Sequence, residues 1–437
     1  MKVGGKLGVG PRPGVRSIRL IAAGIALVAA ACGSSSTPSS SSATATPTVG
    51  SKTIPSVTVS SFTSDIASTM SQFKSLTEYA TQNSNSLQVG VILPDTTSST
   101  RYVDFDAPYL TDAFADAGYT TSQFRIDNAQ GSDATELDDA TADINLGAKV
   151  LVMDPLDGPT GVAIAQLAAS KGVTMISYDR ATFSGSDTYY VSFDNEQVGE
   201  LIGNGFLSCL TSENLSAAQV FVLNGGEDTD PNAISFATGY NKVVWGQAVD
   251  GNTTKIPAGT KSTSGGATLV GENYAPGWSN TQGGTIFQQE YTSNPSIDAS
   301  IEANDGLAGA VITDLQADGV KAGTFPTTGQ DATAQGMAYI LEGWQCGSVY
   351  KAVYKEAQDA VAMATVLLSK QTVPTGLLNG KTTDPANTSI TEPASLLVPV
   401  WVNASNMETT VVKDGFDTAS AICAIAGATL CTKDGIS

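Results

Sequence analysis

The chain has 437 residues, enough for two domains with hydrophobic cores of their own, and it carries 42 acidic residues against 22 basic ones. Such an acidic surface repels phosphate backbones and anionic head groups, so we do not expect a nucleic-acid partner. The sequence contains no histidine, which excludes Ser-His-Asp and Cys-His catalytic arrangements and histidine-containing zinc sites. The cysteine spacing is not typical of a metal site either, and we expect neither a metal nor a cofactor.

Residues 1–32 are predicted to be a targeting segment. Five basic residues and no acidic ones precede the apolar run Leu20–Ala31, which is too short to span a bilayer. Cys32 directly follows small residues and resembles the cysteine of a bacterial lipobox, although Ala29 stands where that motif usually has leucine. We expect the mature chain to begin at Cys32 and to be held to the outer face of the cell membrane by its lipid only. A plain secretory signal cut near Ala31 is the alternative.

Residues 33–85 are predicted to connect this anchor to the folded part of the chain. Residues 33–52 are almost entirely Ser, Thr, Pro, Ala and Gly, a composition that cannot bury a core and is typical of a flexible tether. In the lead-in segment 53–85, the spacing of Ile66, Met70, Phe73 and Ala80 predicts a helix docked on the first lobe.

From residue 86 onward, strand and helix patterns alternate. In chain order they cover strand Leu87–Leu93, a helical stripe of Leu110, Ala113, Phe114 and Ala117, strand Phe124–Ile126, a stripe of Leu137, Ala140, Thr141 and Ile144, strand Val150–Met153, a helix over about Thr160–Ser170, strand Thr174–Ser177, and a second series at Gln219–Leu223, Ala308–Leu315 and Ala357–Leu368. Continuous apolar strands alternating with helices predict an α/β fold with doubly wound parallel sheets. Two such series predict two similar lobes with a cleft between them.

Polar side chains follow the predicted strands, at the end of an open parallel sheet where ligands bind. Tyr178-Asp179-Arg180 closes one strand and sets an acceptor beside a five-donor guanidinium. This pair suits a neutral, hydroxyl-rich molecule, because each hydroxyl both gives and takes a hydrogen bond. An ordinary surface ion pair is the alternative for Asp179 and Arg180, and core packing is the alternative for Trp278.

The motifs along the chain, taken in order, resemble the periplasmic sugar-binding proteins of ABC importers, and most of all the D-xylose-binding type. They are YDR at 178–180, YVSFDNEQVGEL at 190–201, LNG at 223–225, ANDGLAGA at 303–310, TGQDA at 328–332 and VYK at 349–351. The resemblance covers about residues 86–370. It implies two α/β lobes joined by a hinge of three crossover strands, which close over one sugar.

The resemblance also implies a set of site residues. Asp179 and Arg180 match the pair that bonds sugar hydroxyls, and Trp278 matches an aromatic that lies flat against the sugar ring. The other matching positions are Arg101, Tyr102, Asn232, Asn304, Asp331 and Lys351. One position departs from the pattern, since the arginine of the second lobe falls on Ala237, which removes a donor.

The same resemblance predicts how the chain is divided. We expect an N-terminal lobe at 86–193 plus about 352–390 and a C-terminal lobe at 194–351 plus about 391–437. The stretch Leu396–Val402 contains Pro399, which predicts an edge or crossover strand.

Four cysteines follow Cys32, and an exported protein meets oxidising conditions that favour their pairing. Three connectivities are possible. The short loop favours Cys423–Cys431, which leaves Cys209–Cys346; a free, buried Cys209 is the alternative.

These observations favour a monomeric receptor, not an enzyme, that captures a monosaccharide such as D-xylose or a related aldose and delivers it to ABC permease subunits. A sugar-sensing subunit for a chemoreceptor or kinase would have the same site and is a second hypothesis. A glycoside hydrolase would need an acid and a base, for which Asp179 and Asp331 are the candidates. Arg180 and Lys351 are expected nearby and would keep both carboxyls ionised, which disfavours this third hypothesis.

Overall fold

The computed structural model describes residues 54–55, 70–184, 188–250 and 253–437. The predicted signal segment, Cys32, the tether and Ile66 lie outside the described residues. No helix in the described ranges has the length and apolar character that a membrane crossing requires.

Strands and helices alternate along the described chain. The strands are β1 (Val89–Leu93), β2 (Phe124–Asn128), β3 (Val150–Met153), β4 (Thr174–Tyr178), β5 (Thr188–Phe193), β6 (Gln219–Gly225), β7 (Thr268–Ala275), β8 (Ala299–Glu302), β9 (Thr327–Gln330), β10 (Gln345–Tyr350), β11 (Gly380–Thr383), β12 (Thr391–Leu397) and β13 (Val400–Val402). The α-helices are α1 (Lys74–Thr81), α2 (Ala107–Asp116), α3 (Asp133–Leu146), α4 (Gly158–Ser170), α5 (Asn195–Ser212), α6 (Pro231–Trp245), α7 (Asn280–Ser293), α8 (Asp305–Ala317), α9 (Ala334–Glu342), α10 (Val353–Leu368), α11 (Ala419–Ala426) and α12 (Ala428–Asp434). Short helical turns of other kinds lie at Ser71–Phe73, Tyr102–Asp106, Pro276–Trp278 and Glu408–Val412.

The first lobe is built on a seven-stranded sheet in the order β11-β12-β5-β4-β3-β1-β2. All of its pairs are parallel except β11 with β12, and Val89 of β1 lies opposite Phe124 and Val150. Helices α2 and α10 share a buried core with β1, β3 and β4, and Met70, Phe73 and Leu76 of the lead-in segment pack into the same core. The described part of the lead-in segment thus packs on the first lobe.

The second lobe contains two three-stranded sheets, β7-β6-β8 and β13-β10-β9. The edge strand β8 of one sheet lies beside the edge strand β9 of the other, where Ser300 N donates to Pro326 O at 3.0 Å. Helices α5 and α6 pack on each other and share the core of this lobe with α7 and α8. The α/β architecture with two doubly wound, predominantly parallel lobes is confirmed.

Three connections join the lobes in the described chain. They run from β5 to α5, from β10 to α10 and from β12 to β13, and Asp194 N in the first donates to Leu397 O in the third at 3.1 Å. The third connection falls later than the predicted return near residue 391, because β12 pairs with Tyr190–Phe193 of the first sheet. Val398 and Pro399 make the crossing, as the proline predicted.

One predicted helical stripe is wrong in part. Ala140 is buried and Ile144 packs against the core as predicted, but Leu137 and Thr141 are exposed. The buried face of α3 carries Glu136 and Asp143 beside Ala140. Asp143 lies where a side chain on Gly90 of β1 would stand, 2.2 Å from an added Cβ. The absence of a side chain at Gly90 thus allows the acidic Asp143 to face the sheet.

Residues 403–437, which we call the C-terminal segment, pack on the second lobe beside the hinge. Met407, Val411 and Phe416 form a buried cluster with α9, and the Tyr350 and Tyr354 hydroxyls donate to Asp414 Oδ2 at 3.2 and 3.3 Å. The structure contains the disulfides Cys423–Cys431 within this segment and Cys209–Cys346 between α5 and β10. The first is the pair that the short loop favoured, and the second is the pair that this choice left.

Candidate functional site

Side chains from both lobes and from the hinge converge on a small cavity of about 30 Å³, which we call the inter-lobe cavity. All nine residues predicted from the sequence line it: Arg101, Tyr102, Asp179, Arg180, Asn232, Trp278, Asn304, Asp331 and Lys351. They follow β1, β4, β6, β7, β8, β9 and β10, so the carboxyl ends of parallel strands assemble the site.

Four further lining residues escaped the sequence analysis: Ser98, Ser99, Phe236 and Gln330. Phe236 lies one helical turn after Asn232 on α6, so the spacing of four residues could have identified it. Ala237, the position that departs from the family pattern, is fully buried in the core of the second lobe and does not line the cavity. At this turn of α6 the aromatic ring of the neighbouring Phe236 lines the cavity, in place of the arginine donor of the family pattern.

Arg101 is held almost completely by carboxylates. Its Nε and Nη2 donate to Asp106 at 2.9 and 2.7 Å, Nη2 also donates to Glu356 at 2.8 Å, and Nη1 donates to Asp179 at 2.8 Å. Burial alone would lower the pKa of Arg101, but these three acids raise it well above its usual value. With four of its donor contacts used inside the protein, Arg101 acts mainly as a fixed charge.

Asp179 is the acceptor at the centre of the site. Its Oδ1 lies 2.8 Å from Arg101 Nη1 and 3.7 Å from Lys351 Nζ, and its Oδ2 accepts from the Tyr102 hydroxyl at 3.1 Å. Burial alone would raise the pKa of this carboxyl, but Arg101, Lys351 and Arg180 bring it well below its usual range. Asp179 therefore stays ionised and accepts hydrogen bonds at all ordinary pH values.

Arg180 extends from the next position toward the first lobe. Its Nη2 donates to the Tyr102 hydroxyl at 3.1 Å and its Nη1 to the Pro155 carbonyl at 3.2 Å. Asp154 lies behind it, with 3.8 Å between Arg180 Nε and Asp154 Oδ1. Burial raises the pKa of Asp154 well above its usual value even with Arg180 nearby.

Trp278 is fixed by contacts on several sides. Its Nε1 donates to Asp230 Oδ2 at 2.8 Å, its ring meets Phe236 edge-on at 6.1 Å, and a Cβ added to Gly225 would lie 1.9 Å from its Cζ3. The glycine in the LNG motif thus leaves space for the indole ring. Trp278 has φ +56°, a left-handed backbone that is rare for a bulky residue and that is found at functional sites.

Direct hydrogen bonds cross the cavity between the lobes. Asn232 Nδ2 of the second lobe donates to the Asp179 carbonyl at 2.9 Å, and Asn195 Nδ2 holds Asn232 from behind at 3.0 Å. Ser99 Oγ of the first lobe donates to Asp331 Oδ2 at 3.2 Å, and Lys351 Nζ lies 3.3 Å from Asp331 Oδ1. The lobes are therefore in contact around the cavity.

Asp305, next to Asn304, belongs to the support of the site and does not line the cavity. Its carboxylate accepts from Thr333, Gln345 and Ser348 at 2.8–3.0 Å. Asn304 lines the cavity and also caps α8, with Oδ1 accepting from Leu307 N at 2.9 Å.

The arrangement suits binding of a neutral polar molecule better than hydrolysis. A hydrolase needs one carboxylic acid that keeps its proton, whereas Asp179 is held ionised and Asp331 is paired with Lys351. Among the described residues, no group of three or more acidic or cysteine side chains is placed to hold a metal ion.

The chain is similar to known periplasmic binding proteins. A family described as "Periplasmic binding protein domain" matches residues 89–372. The chain is 31% identical to the D-xylose-binding periplasmic protein of Escherichia coli (strain K12) over 293 residues, which are 67% of this chain and 80% of that protein. It is 30% identical to a multiple sugar-binding periplasmic protein of Azospirillum brasilense, over 76% of this chain and 89% of the relative.

Among solved structures, a carbohydrate transporter solute-binding protein from Chloroflexus aurantiacus, crystallised in complex with D-glucose, superposes with a TM-score of 0.63 at 25% identity. The match covers 77% of this chain and 98% of that one. The C-terminal segment lies outside the range that the family matches.

Proposed function

Because the chain belongs to the periplasmic binding protein family, as a type I sugar-binding protein of ABC transport, we propose that it captures D-xylose or a related aldose in the inter-lobe cavity and delivers it to an ABC permease. The observation that carries this proposal is the ring of fixed polar groups around Trp278. Asp179 and Asp331 offer acceptors, and Arg180, Lys351 and Asn232 offer donors, all in one cavity.

These groups match what a monosaccharide needs to leave water. Each buried hydroxyl without a partner costs about 1–3 kcal/mol, so a site of fixed donors and acceptors rejects sugars whose hydroxyls point elsewhere. The face of Trp278 covers the apolar side of a sugar ring with a large area at low cost in conformational entropy.

The closed arrangement supports a capture mechanism. Asn232 contacts Asp179 from the second lobe, and Lys351 contacts it from the hinge. Closure of the lobes over a ligand is therefore coupled to these contacts of Asp179. A sugar that bridges Asp179 and Asp331 would stabilise the closed state over an open one, which is the state a permease would recognise.

We also propose that Cys32 carries the lipid that holds the monomeric receptor at the outer face of the membrane, with residues 33–52 as its tether. Metabolic labelling with an alkyne fatty acid tests this proposal. The chain should be labelled and the Cys32→Ser variant should not, whereas equal labelling of both would overturn the anchor.

Sugar sensing is the second candidate. A multiple sugar-binding periplasmic receptor of Rhizobium radiobacter is 28% identical over 75% of this chain. Sensing and transport would use the same inter-lobe cavity, and deletion of the cognate permease separates them, since a sensor would still respond to sugar.

Isothermal titration of the purified chain against D-xylose, other aldoses and polyols tests the binding proposal. We expect saturable binding of one or two aldoses at a 1:1 ratio, and no binding of ribitol or xylitol with comparable affinity. If no sugar gave a heat of binding and millimolar sugar left the melting temperature unchanged, the binding proposal would be overturned.

A further inference from the structure

A second cavity adjoins the inter-lobe cavity, and we call it the outer cavity. It measures about 430 Å³, against about 30 Å³ for the inter-lobe cavity by the same measure. Both cavities are lined by Ser98, Ser99, Asn304 and Asp331, so they share a wall. The hydrogen bond from Ser99 to Asp331 joins two of these shared residues at 3.2 Å. Anything that extends from the inter-lobe cavity past this contact enters the outer cavity.

Three parts of the chain build the outer cavity. The first lobe contributes Asp104 and Phe105, the second lobe contributes Asn280 and Gln335, and the C-terminal segment contributes Asp417 with Ile425. Phe105 stacks on Phe416 of the C-terminal segment, with ring centroids 4.0 Å apart. The wall that completes the cavity therefore belongs to a segment outside the family match.

The chemistry of the lining suits a neutral, hydroxyl-rich group. The lining combines serine, threonine, amide and carboxylate side chains with the apolar residues Phe105, Ala334 and Ile425, and no lysine or arginine occurs among the described residues that line the cavity. An anionic ligand would meet several carboxylates there and no cationic side chain to balance its charge. Two acceptors among these residues, Asn280 Oδ1 and Asp417 Oδ2, are shielded from solvent and have no donor in the protein. Rotation of either side chain toward the cavity would let a ligand hydroxyl donate to its oxygen.

We propose that the outer cavity is a second sugar subsite, so that the chain also takes neutral disaccharides and glycosides with one ring in the inter-lobe cavity and the next unit in the outer cavity. The inference rests on the proposed function, since it needs a sugar ring in the inter-lobe cavity. That cavity cannot hold two rings, whereas a volume of about 430 Å³ lies within the usual range of ligand sites. The glycosidic linkage would replace the Ser99–Asp331 hydrogen bond.

Titration of the full chain with D-xylose, xylobiose, D-glucose and cellobiose tests the proposal. We expect at least one disaccharide to bind as tightly as its monosaccharide or more tightly. Gln335→Trp places a large ring in the outer cavity from an exposed position, and it should weaken disaccharide binding at least tenfold while changing monosaccharide binding less than twofold. Gln289→Trp, at an exposed position of α7 that does not line the outer cavity, is the matched control.

The outcomes separate the two proposals. If a monosaccharide binds and no disaccharide does, the second subsite is wrong and the proposed function stands. If disaccharides bind but neither Gln335→Trp nor Ile425→Trp, a second lining position, weakens them, the second unit lies elsewhere and the inference is wrong. If no sugar of either kind binds, the proposed function fails and the inference fails with it. Unchanged melting temperatures of the two tryptophan variants would exclude misfolding as the cause of a loss.

Discussion

Arg101 and Asp179, 78 residues apart in the sequence, form a buried ion pair with 2.8 Å between Nη1 and Oδ1. The pair joins the loop after β1 to the end of β4, and Glu356 and Asp106 hold the other side of the guanidinium. The acceptor at the centre of the site is thus fixed before any ligand arrives, which lowers the cost of ordering it on binding.

We expect Asp179→Asn to weaken sugar binding by about 30-fold or more, because a buried charge contact that loses one partner costs about 2–5 kcal/mol. The change leaves Arg101 and Lys351 without their shared acceptor charge. Titration of both proteins with the preferred aldose measures the loss. Asp138→Asn, on the exposed face of α3, is the matched control and should bind like the unmodified chain. Equal affinity of the Asp179→Asn variant would contradict the central role of this carboxylate.

The position of Asp179 at the end of a strand explains why this part of the site could be predicted from the sequence. Asp179 follows the apolar strand β4, and the ends of parallel strands converge whatever the details of packing. A strand pattern with a polar residue at its end is therefore sufficient to find Asp179. The same pattern predicted the alternation of strands and helices in both lobes. Asn304 and Asp331 follow the short strands β8 and β9, which contain polar residues, and only the resemblance of the motifs ANDGLAGA and TGQDA predicts them.

The groups behind the site could not be predicted in this way. Asp106, Asp154 and Glu356 come from three distant segments, and their burial depends on how those segments meet. An acidic residue at a helical position is ordinarily taken as exposed, as it was for the buried face of α3. Only the folded structure identifies which acidic residues are buried to balance Arg101 and Arg180.

We expect Gly225→Ala to weaken sugar binding about tenfold without removing any polar group from the site. The added Cβ would lie 1.9 Å from the Trp278 ring, so the indole must move from the position that it now has between Phe236 and Asp230. Tryptophan fluorescence and titration with the preferred aldose measure the change together. Gly271→Ala on β7 is the matched control, since its added Cβ meets only ordinary contacts at 3.6 Å or more. Full affinity in the Gly225→Ala variant would show that the ring position does not matter.

Phe105 and Phe416 make a further contact between the first lobe and the C-terminal segment, and we expect Phe416→Ala to weaken sugar binding about fivefold. An aromatic pair contributes about 0.5–1.5 kcal/mol beyond its buried area, and this pair forms where the lobes close. The loss should lie mainly in a faster dissociation rate, because an open state has no such contact.

A double-mutant cycle separates this effect from simple loss of stability. If the stack acts as a unit, Phe105→Ala should have a similar effect, and the double variant should bind no more weakly than either single one. Additive losses would mean that the two rings act independently of closure.

Because of Glu136, we expect the folded chain to have a larger free energy of unfolding in mild acid than at pH 8. Burial raises the pKa of Glu136 to about 8, although Leu156 N donates to its Oε1 at 3.0 Å. The unfolded chain releases this proton near pH 4.5, so the folded state holds one proton more between about pH 4.5 and pH 8. Stability from this group is fully present below that range and is lost as the pH rises through it. The expected loss over that whole range is on the order of 5 kcal/mol, at about 1.4 kcal/mol per pKa unit.

Thermal unfolding from pH 5 to pH 8 measures this dependence, and Glu136→Gln isolates the contribution of one carboxyl. The amide oxygen of glutamine can still accept the hydrogen bond from Leu156, but the side chain no longer titrates, so the variant should lose less stability than the unmodified chain as the pH rises. Glu78→Gln, on the exposed side of α1, should leave the slope unchanged. Parallel pH curves for Glu136→Gln and the unmodified chain would mean that Glu136 is already ionised in the folded state, with its charge compensated inside the first lobe. In that case Arg180, the cation that favours the ionised form of Glu136, would balance two acids, Asp154 and Glu136, from one position.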